Sequence, residues 1–129
     1  METMLTVRVG RIGWLIVPLL AVLLSGCAPE PLRPPRAVAL EVTEFTITPS
    51  AVSAKVGERI SFRVSNKGVL EHNVSIQDPS GEEIALLTLL MNEHGALQIE
   101  PTTPGQWMII CSLPGHEMAG MTATLTVAP

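Results

Sequence analysis

Apolar residues recur along this chain with a period of two rather than 3.6, which restricts it to strands whose alternate side chains face a core. Ile60, Phe62 and Val64 alternate with Arg59, Ser61 and Arg63 between Gly57 and Asn66-Lys67-Gly68, a half-buried strand framed by turn residues. His72, Val74 and Ile76 form one stripe and Asn73, Ser75 and Gln77 the other, followed by the turn Asp78-Pro79-Ser80-Gly81. His72 therefore faces inward at the head of its strand. Leu97 and Ile99 alternate with Gln98 and Glu100, and Pro104-Gly105 turns the chain into Gln106–Cys111. That run is apolar on both faces, as a central strand should be, with Trp107, Ile109 and Cys111 on one of them. In the last strand Met121, Ala123, Leu125 and Val127 point inward and threonines point out. Turn residues recur about every eight to twelve positions, and the pattern as a whole predicts an all-β sandwich or barrel of about seven short strands.

Two stretches break the alternation. Leu40 and Val42 have one parity and Phe45 and Ile47 the other, so the apolar face changes phase within one strand, as a bulge or strand break would produce, before Pro49 closes it. Between Glu82 and His94, Ile84, Leu86, Leu87 and Leu90 fit a short helix or an irregular excursion over the core equally well.

The N-terminal segment has a different grammar. Arg8 and Arg11 precede the apolar run Ile12–Leu24, which is too short to span a bilayer comfortably and carries Pro18. It ends in Leu24-Ser25-Gly26-Cys27, and this junction resembles a bacterial lipoprotein signal. The resemblance implies a signal peptide over residues 1–26, lipidation of Cys27, and a soluble domain held outside the cytoplasm by acyl chains rather than by a span. Residues 27–36 hold Pro29, Pro31, Pro34 and Pro35, which suit an extended tether of roughly 30 Å at about 3.1 Å per residue; a spacer without a length requirement explains them equally well.

One domain remains, residues 37–129, and its aromatics are Phe45, Phe62 and Trp107, so its core must be aliphatic. The full chain of 129 residues has a net charge of −4 and no cluster of Lys and Arg, which argues against a nucleic-acid partner. With Cys27 committed to lipid, Cys111 is a lone thiol in an oxidising compartment, and a lone thiol there needs an explanation.

The explanation lies in the loop Cys111-Ser112-Leu113-Pro114-Gly115-His116-Glu117-Met118-Ala119-Gly120-Met121. Its thiol, imidazole and thioether, joined by His72 from another strand, form the donor set of a blue copper centre: two imidazoles and a thiolate in a plane with a weak axial thioether. Zinc is the principal rival metal, but structural zinc sites favour short-spaced Cys and His pairs, and a thioether is foreign to them. Met118 competes with Met121 for the axial position; strand parity favours Met121. His94 and Met91 have no donor partners and read as structural or surface residues. Glu71, Glu93 and Glu117 read as solvated charges, or as a ring that steers a basic partner.

These residues carry a resemblance to the cupredoxins, the superfamily of plastocyanin and azurin, over roughly Ala37 to Val127. Glu71-His72-Asn73-Val74 is similar to the family's ligand strand, and Cys-x4-His-x4-Met, formed by Cys111, His116 and Met121, is closest in spacing to rusticyanins and auracyanins. The resemblance implies a Greek-key β-sandwich of about seven to eight strands. It also implies one type 1 copper held by His72, Cys111, His116 and Met121, with Asn73 and Ser112 tying the ligand strand to the ligand loop. Glu71 before His72, and Met108, Ile109 and Ile110 before Cys111, depart from the residues many relatives carry there. The expected role is a monomeric, membrane-anchored electron carrier between larger redox proteins such as a cytochrome or a membrane redox complex, and not an enzyme. The alternative is a module that stores or delivers copper outside the cytoplasm.

Overall fold

The computed structural model describes residues 33–129. The segment read as a signal peptide, Cys27 and the tether as far as Leu32 lie outside the described residues. Nine strands follow in order: β1 (Arg36–Thr43), β2 (Thr46–Thr48), β3 (Ala51–Lys55), β4 (Ile60–Asn66), β5 (His72–Gln77), β6 (Glu83–Leu89), β7 (His94–Ile99), β8 (Gly105–Ile110) and β9 (Thr122–Ala128). They form two sheets, of order β2-β1-β4-β7 and β3-β9-β8-β5-β6. β1 runs parallel to β4 and β3 parallel to β9, while the other neighbours are antiparallel. Parallel neighbours cannot be joined by a hairpin, so the chain crosses between sheets, and β3 pairs with the final strand.

The strands number nine rather than seven to eight, and the extra ones come from the two irregular stretches. The phase change at residues 42–47 is a complete break: β1 and β2 form an antiparallel pair across the turn residues Glu44 and Phe45, with Val42 opposite Ile47. Phe45 is therefore no core residue; it is 42% exposed. Residues 83–89 are neither helix nor excursion but strand β6, paired along β5 from His72↔Leu89 to Ile76↔Ala85. Ile84 and Leu86 lie exposed on this edge strand, and that outward apolar pair is what blurs the period in the sequence.

Between the sheets, Leu40, Val42, Ile60, Phe62 and Val64 on one side meet Val74, Ile76, Trp107, Ile109, Leu125 and Val127 on the other. β5, flanked by β6 and β8, is buried on both faces from His72 to Ile76. The hydroxyl of Ser75, buried on the face of β5 opposite to Val74 and Ile76, donates to Glu83 at 2.6 Å. β8 and β9 pair from Gly105↔Val127 to Ile110↔Thr122, which leaves Cys111 and Met121 facing each other just beyond the last rung.

Candidate metal centre

Strand registers assemble the site. The β5–β8 pairing sets Ser75 opposite Ile110, so two rungs further Asn73 lies opposite Ser112. Their bonds close the gap: the Asn73 side-chain amide donates to Ser112 Oγ at 2.9 Å, and the Ser112 backbone N–H donates to Asn73 Oδ1 at 2.7 Å. Asn73 also donates its own backbone N–H to Cys111 Sγ at 3.4 Å, which orients the sulfur and offsets charge on it. The Asn73→Ala variant is expected to lose about 1–3 kcal/mol of stability and, because outer contacts orient ligands, about 10–100-fold in copper affinity. Urea unfolding of the metal-free protein and a competitive copper titration check the two effects separately.

The loop itself is a self-bonded unit. Cys111 donates its N–H to Met121 O at 3.1 Å, and Met121 donates to His116 O at 3.0 Å, so the backbones of three donor residues are tied together. Turns inside the loop run from His116 N–H to Leu113 O and from Ala119 N–H to Gly115 O. Gly115 and Gly120 take φ of 82° and 97°, a left-handed conformation that side-chain-bearing residues rarely adopt. Without it the loop could not fold back into β9.

Three donor atoms converge as a result. His72, Cys111 and His116 bring one ligand atom each to within 4.8 Å of one another. His72 Nδ1 lies 3.3 Å from His116 Nδ1, and that nitrogen lies 3.4 Å from Cys111 Sγ. Two imidazole nitrogens held roughly 2.0–2.1 Å from one ion would be separated by about this much. His72 and Cys111 are buried and His116 is half-buried. Met121 is wholly buried (0% exposed) whereas Met118 is 94% exposed, so the axial candidate is the residue that strand parity favours. His72, Cys111, His116 and Met121 form a blue-copper-like site, and copper is the cofactor that these donors fit.

Burial pushes the His72 imidazole below its ordinary range, with the second imidazole acting in the same direction and Glu44 opposing it. Both effects favour the neutral ring that a metal requires. Cys111, His72 and Met121 are each 0% exposed, so water is excluded from the thiol side of the site.

Residues outside the expected set also reach the centre. The Phe45 ring meets His116 edge-on at 5.3 Å and 87°. Asn66, fully buried, donates through Nδ2 to Leu70 O and Leu89 O and accepts the Gly68 N–H, so it shapes the loop that leads into His72. In the sequence Phe45 is marked only by the phase change and Asn66 only as a turn residue. His94 pairs with Ser65 Oγ at 2.9 Å and stands outside the cluster of donor atoms, and Met91 is exposed. Glu71 and Glu117 are exposed beside the ligands in sequence, and Glu93 caps its own turn by accepting the Leu90 N–H.

Comparison with known proteins agrees with this architecture. The family described as "Cupredoxin-like domain" matches residues 16–127. Auracyanin-B of Chloroflexus aurantiacus is 43% identical over 44 residues, which are 33% of this chain and 19% of that protein, so the match spans about a fifth of the curated relative. Among solved structures, dithionite-reduced auracyanin of Roseiflexus castenholzii superimposes with a TM-score of 0.66 at 17% identity, covering 72% of this chain and 97% of the other. Auracyanin B gives 0.68 at 20% identity, with 75% and 91% covered. Auracyanin A, a "blue" copper protein of Chloroflexus aurantiacus, gives 0.60 at 18%, with 71% and 99% covered. At these identities the superpositions speak for the fold, while the family match extends over most of the sequence, and this chain belongs to the cupredoxin-like family.

Proposed function

We propose that this protein is a one-electron carrier with a single copper, lipid-anchored through Cys27 outside the cytoplasm and passing electrons between larger redox proteins. The observation that carries the reading is the convergence of two Nδ1 atoms and one thiol sulfur, already within 4.8 Å, on a scaffold of strand registers and loop hydrogen bonds. Bound copper supplies a Cu(II)/Cu(I) couple. The chain supplies rigidity: the donors come from β5 and from a loop tied to itself, so little reorganisation accompanies a change of charge at the site. His116 is the half-buried ligand, and the apolar Leu113, Phe45 and Met118 in and beside its loop suit close approach of a partner.

Adding Cu(II) to the purified domain tests this. The expected result is an intense visible thiolate-to-copper absorption that mild reductant bleaches and oxidant restores; a colourless product overturns the reading. The copper-delivery alternative predicts rapid handover of the ion to a weak chelator, whereas a carrier site built from a buried thiolate retains it. Glu71 and Glu117 flank the ligands, and with a chain charge of −4 they favour a basic partner. Association with such a partner is expected to slow as salt rises from 0.01 to 0.15 M, where the screening length shrinks from about 30 to 8 Å. Stopped-flow rates at several ionic strengths read this out, and a flat profile removes the steering role.

A further inference from the structure

Phe45 has φ of 63°, in the left-handed region that a bulky residue seldom enters. Such a conformation costs about 1–3 kcal/mol and persists only where its surroundings fix it. Here the surroundings are the metal centre. Glu44, the other residue of the β1–β2 turn, accepts backbone N–H groups from Val69 at 2.6 Å and Leu70 at 3.2 Å through Oε1. These bonds, led by the one from Val69, hold its carboxyl below the ordinary carboxylate range. The Thr43 and Thr46 hydroxyls meet across the base of the turn. The same Oε1 stands 3.8 Å from Nε2 of His72, which is fully buried and has no hydrogen-bond partner. Gly68 makes that approach possible, because a Cβ there would overlap Glu44 Oε1 and lie 3.0 Å from His72 Nε2. On its other side the turn lays Phe45 against His116.

We propose that the Glu44-Phe45 turn is a clamp on both ligand imidazoles: Glu44 is the positioning residue that keeps the His72 proton on Nε2 and biases the copper toward its oxidised state, and Phe45 restrains His116. The inference rests on the copper reading. At 3.8 Å the Glu44 contact is too long for a hydrogen bond and acts through charge. A negative charge facing Nε2 favours the tautomer with the proton there, and that tautomer leaves the Nδ1 lone pair free for the metal. The same charge stabilises Cu(II) more than Cu(I), so it lowers the potential. Two backbone amides hold the carboxylate in place, so it need not move when the site changes charge.

Glu44→Gln is the main test, since its amide oxygen can still accept from Val69 and Leu70. In the metal-free variant, nitrogen-resolved NMR should show His72 as a mixture of tautomers where the unaltered protein shows Nε2–H alone. In the copper-loaded variant, the ratio of Cu(II) to Cu(I) affinity should fall about tenfold, the lower end of outer-shell effects, which is a rise in potential of about 59 mV for one electron. Gly68→Ala should shift the potential the same way by displacing the carboxylate. Phe45→Ala should speed removal of copper by a chelator about tenfold, again at the lower end of what outer contacts are worth. An unchanged potential together with an unchanged His72 tautomer in Glu44→Gln overturns the role of Glu44, and an unchanged stripping rate overturns that of Phe45. Failure of the unaltered protein to turn blue with Cu(II) would instead overturn the copper reading, and the metal-free NMR comparison stands apart from it.

Discussion

Cys111→Ser should remove the intense visible band completely and weaken Cu(I) binding by more than about 100-fold, beyond what outer contacts alone are worth. The two side chains are close in size, and Cys111 is buried at the head of the β8–β9 loop, so the sandwich should remain folded. The chemistry differs. A serine hydroxyl does not ionise near neutral pH and is a hard donor, whereas the thiolate is soft and strongly favours Cu(I). Its sulfur is also the charge-transfer partner that colours such a site. The Asn73 N–H now aimed at Sγ would meet an oxygen acceptor in its place. Absorption spectra after Cu(II) addition, beside circular dichroism to establish folding, give the answer. If a folded Cys111→Ser protein kept the strong band, the thiolate would not be its source and the donor set proposed for this site would be wrong.

The donors could be found from the sequence because each is marked by a pattern of its own. His72 opens an inward stripe, Cys111 ends a doubly apolar strand, and Met121 opens an alternating one; their registers then bring them to one end of the sandwich. Parity also separated Met121 from Met118, since a strand's inward side is set two residues at a time. Glu44 had no such marker. A carboxylate in a two-residue turn is ordinary, and its value here comes from a contact 28 positions along the chain with the orphaned nitrogen of His72, which no local pattern encodes. Phe45 was half legible: the shift in parity showed that the strand could not continue, but not that the ring leaves the core for His116. Residues 83–89 were illegible for a different reason. Burial alternates along β6, with Ala85, Leu87 and Leu89 inward, but on this edge strand the outward positions Ile84 and Leu86 are apolar as well, so the sequence does not show the alternation that the structure has.

Trp107→Ala should have the largest effect on the fold, about 3–5 kcal/mol, the usual cost of deleting a buried Trp side chain. Trp107 is 2% exposed and is the largest side chain of the core, paired across strands with Leu125 and sharing a face with Ile109 and Cys111. Its Nε1–H donates to Thr103 O at 3.1 Å, so truncation also removes a bond that ties the turn before β8 to the core. The described domain has few other aromatics to compensate, and a domain of this size has about 5–15 kcal/mol in hand, so the metal-free variant should unfold at markedly lower urea. Copper should restore part of the loss. The ligands come from β5 and from the loop between β8 and β9, and they meet only in the folded chain. Free copper at about 100 times its dissociation constant adds about 2.7 kcal/mol, less whatever the unfolded chain binds through Cys111. Urea unfolding of Trp107→Ala and the unaltered protein, each with and without copper, separates the two terms. An equal copper increment in both places the loss in the core alone. A smaller increment in the variant means that the packing under Cys111 also holds the donors in register.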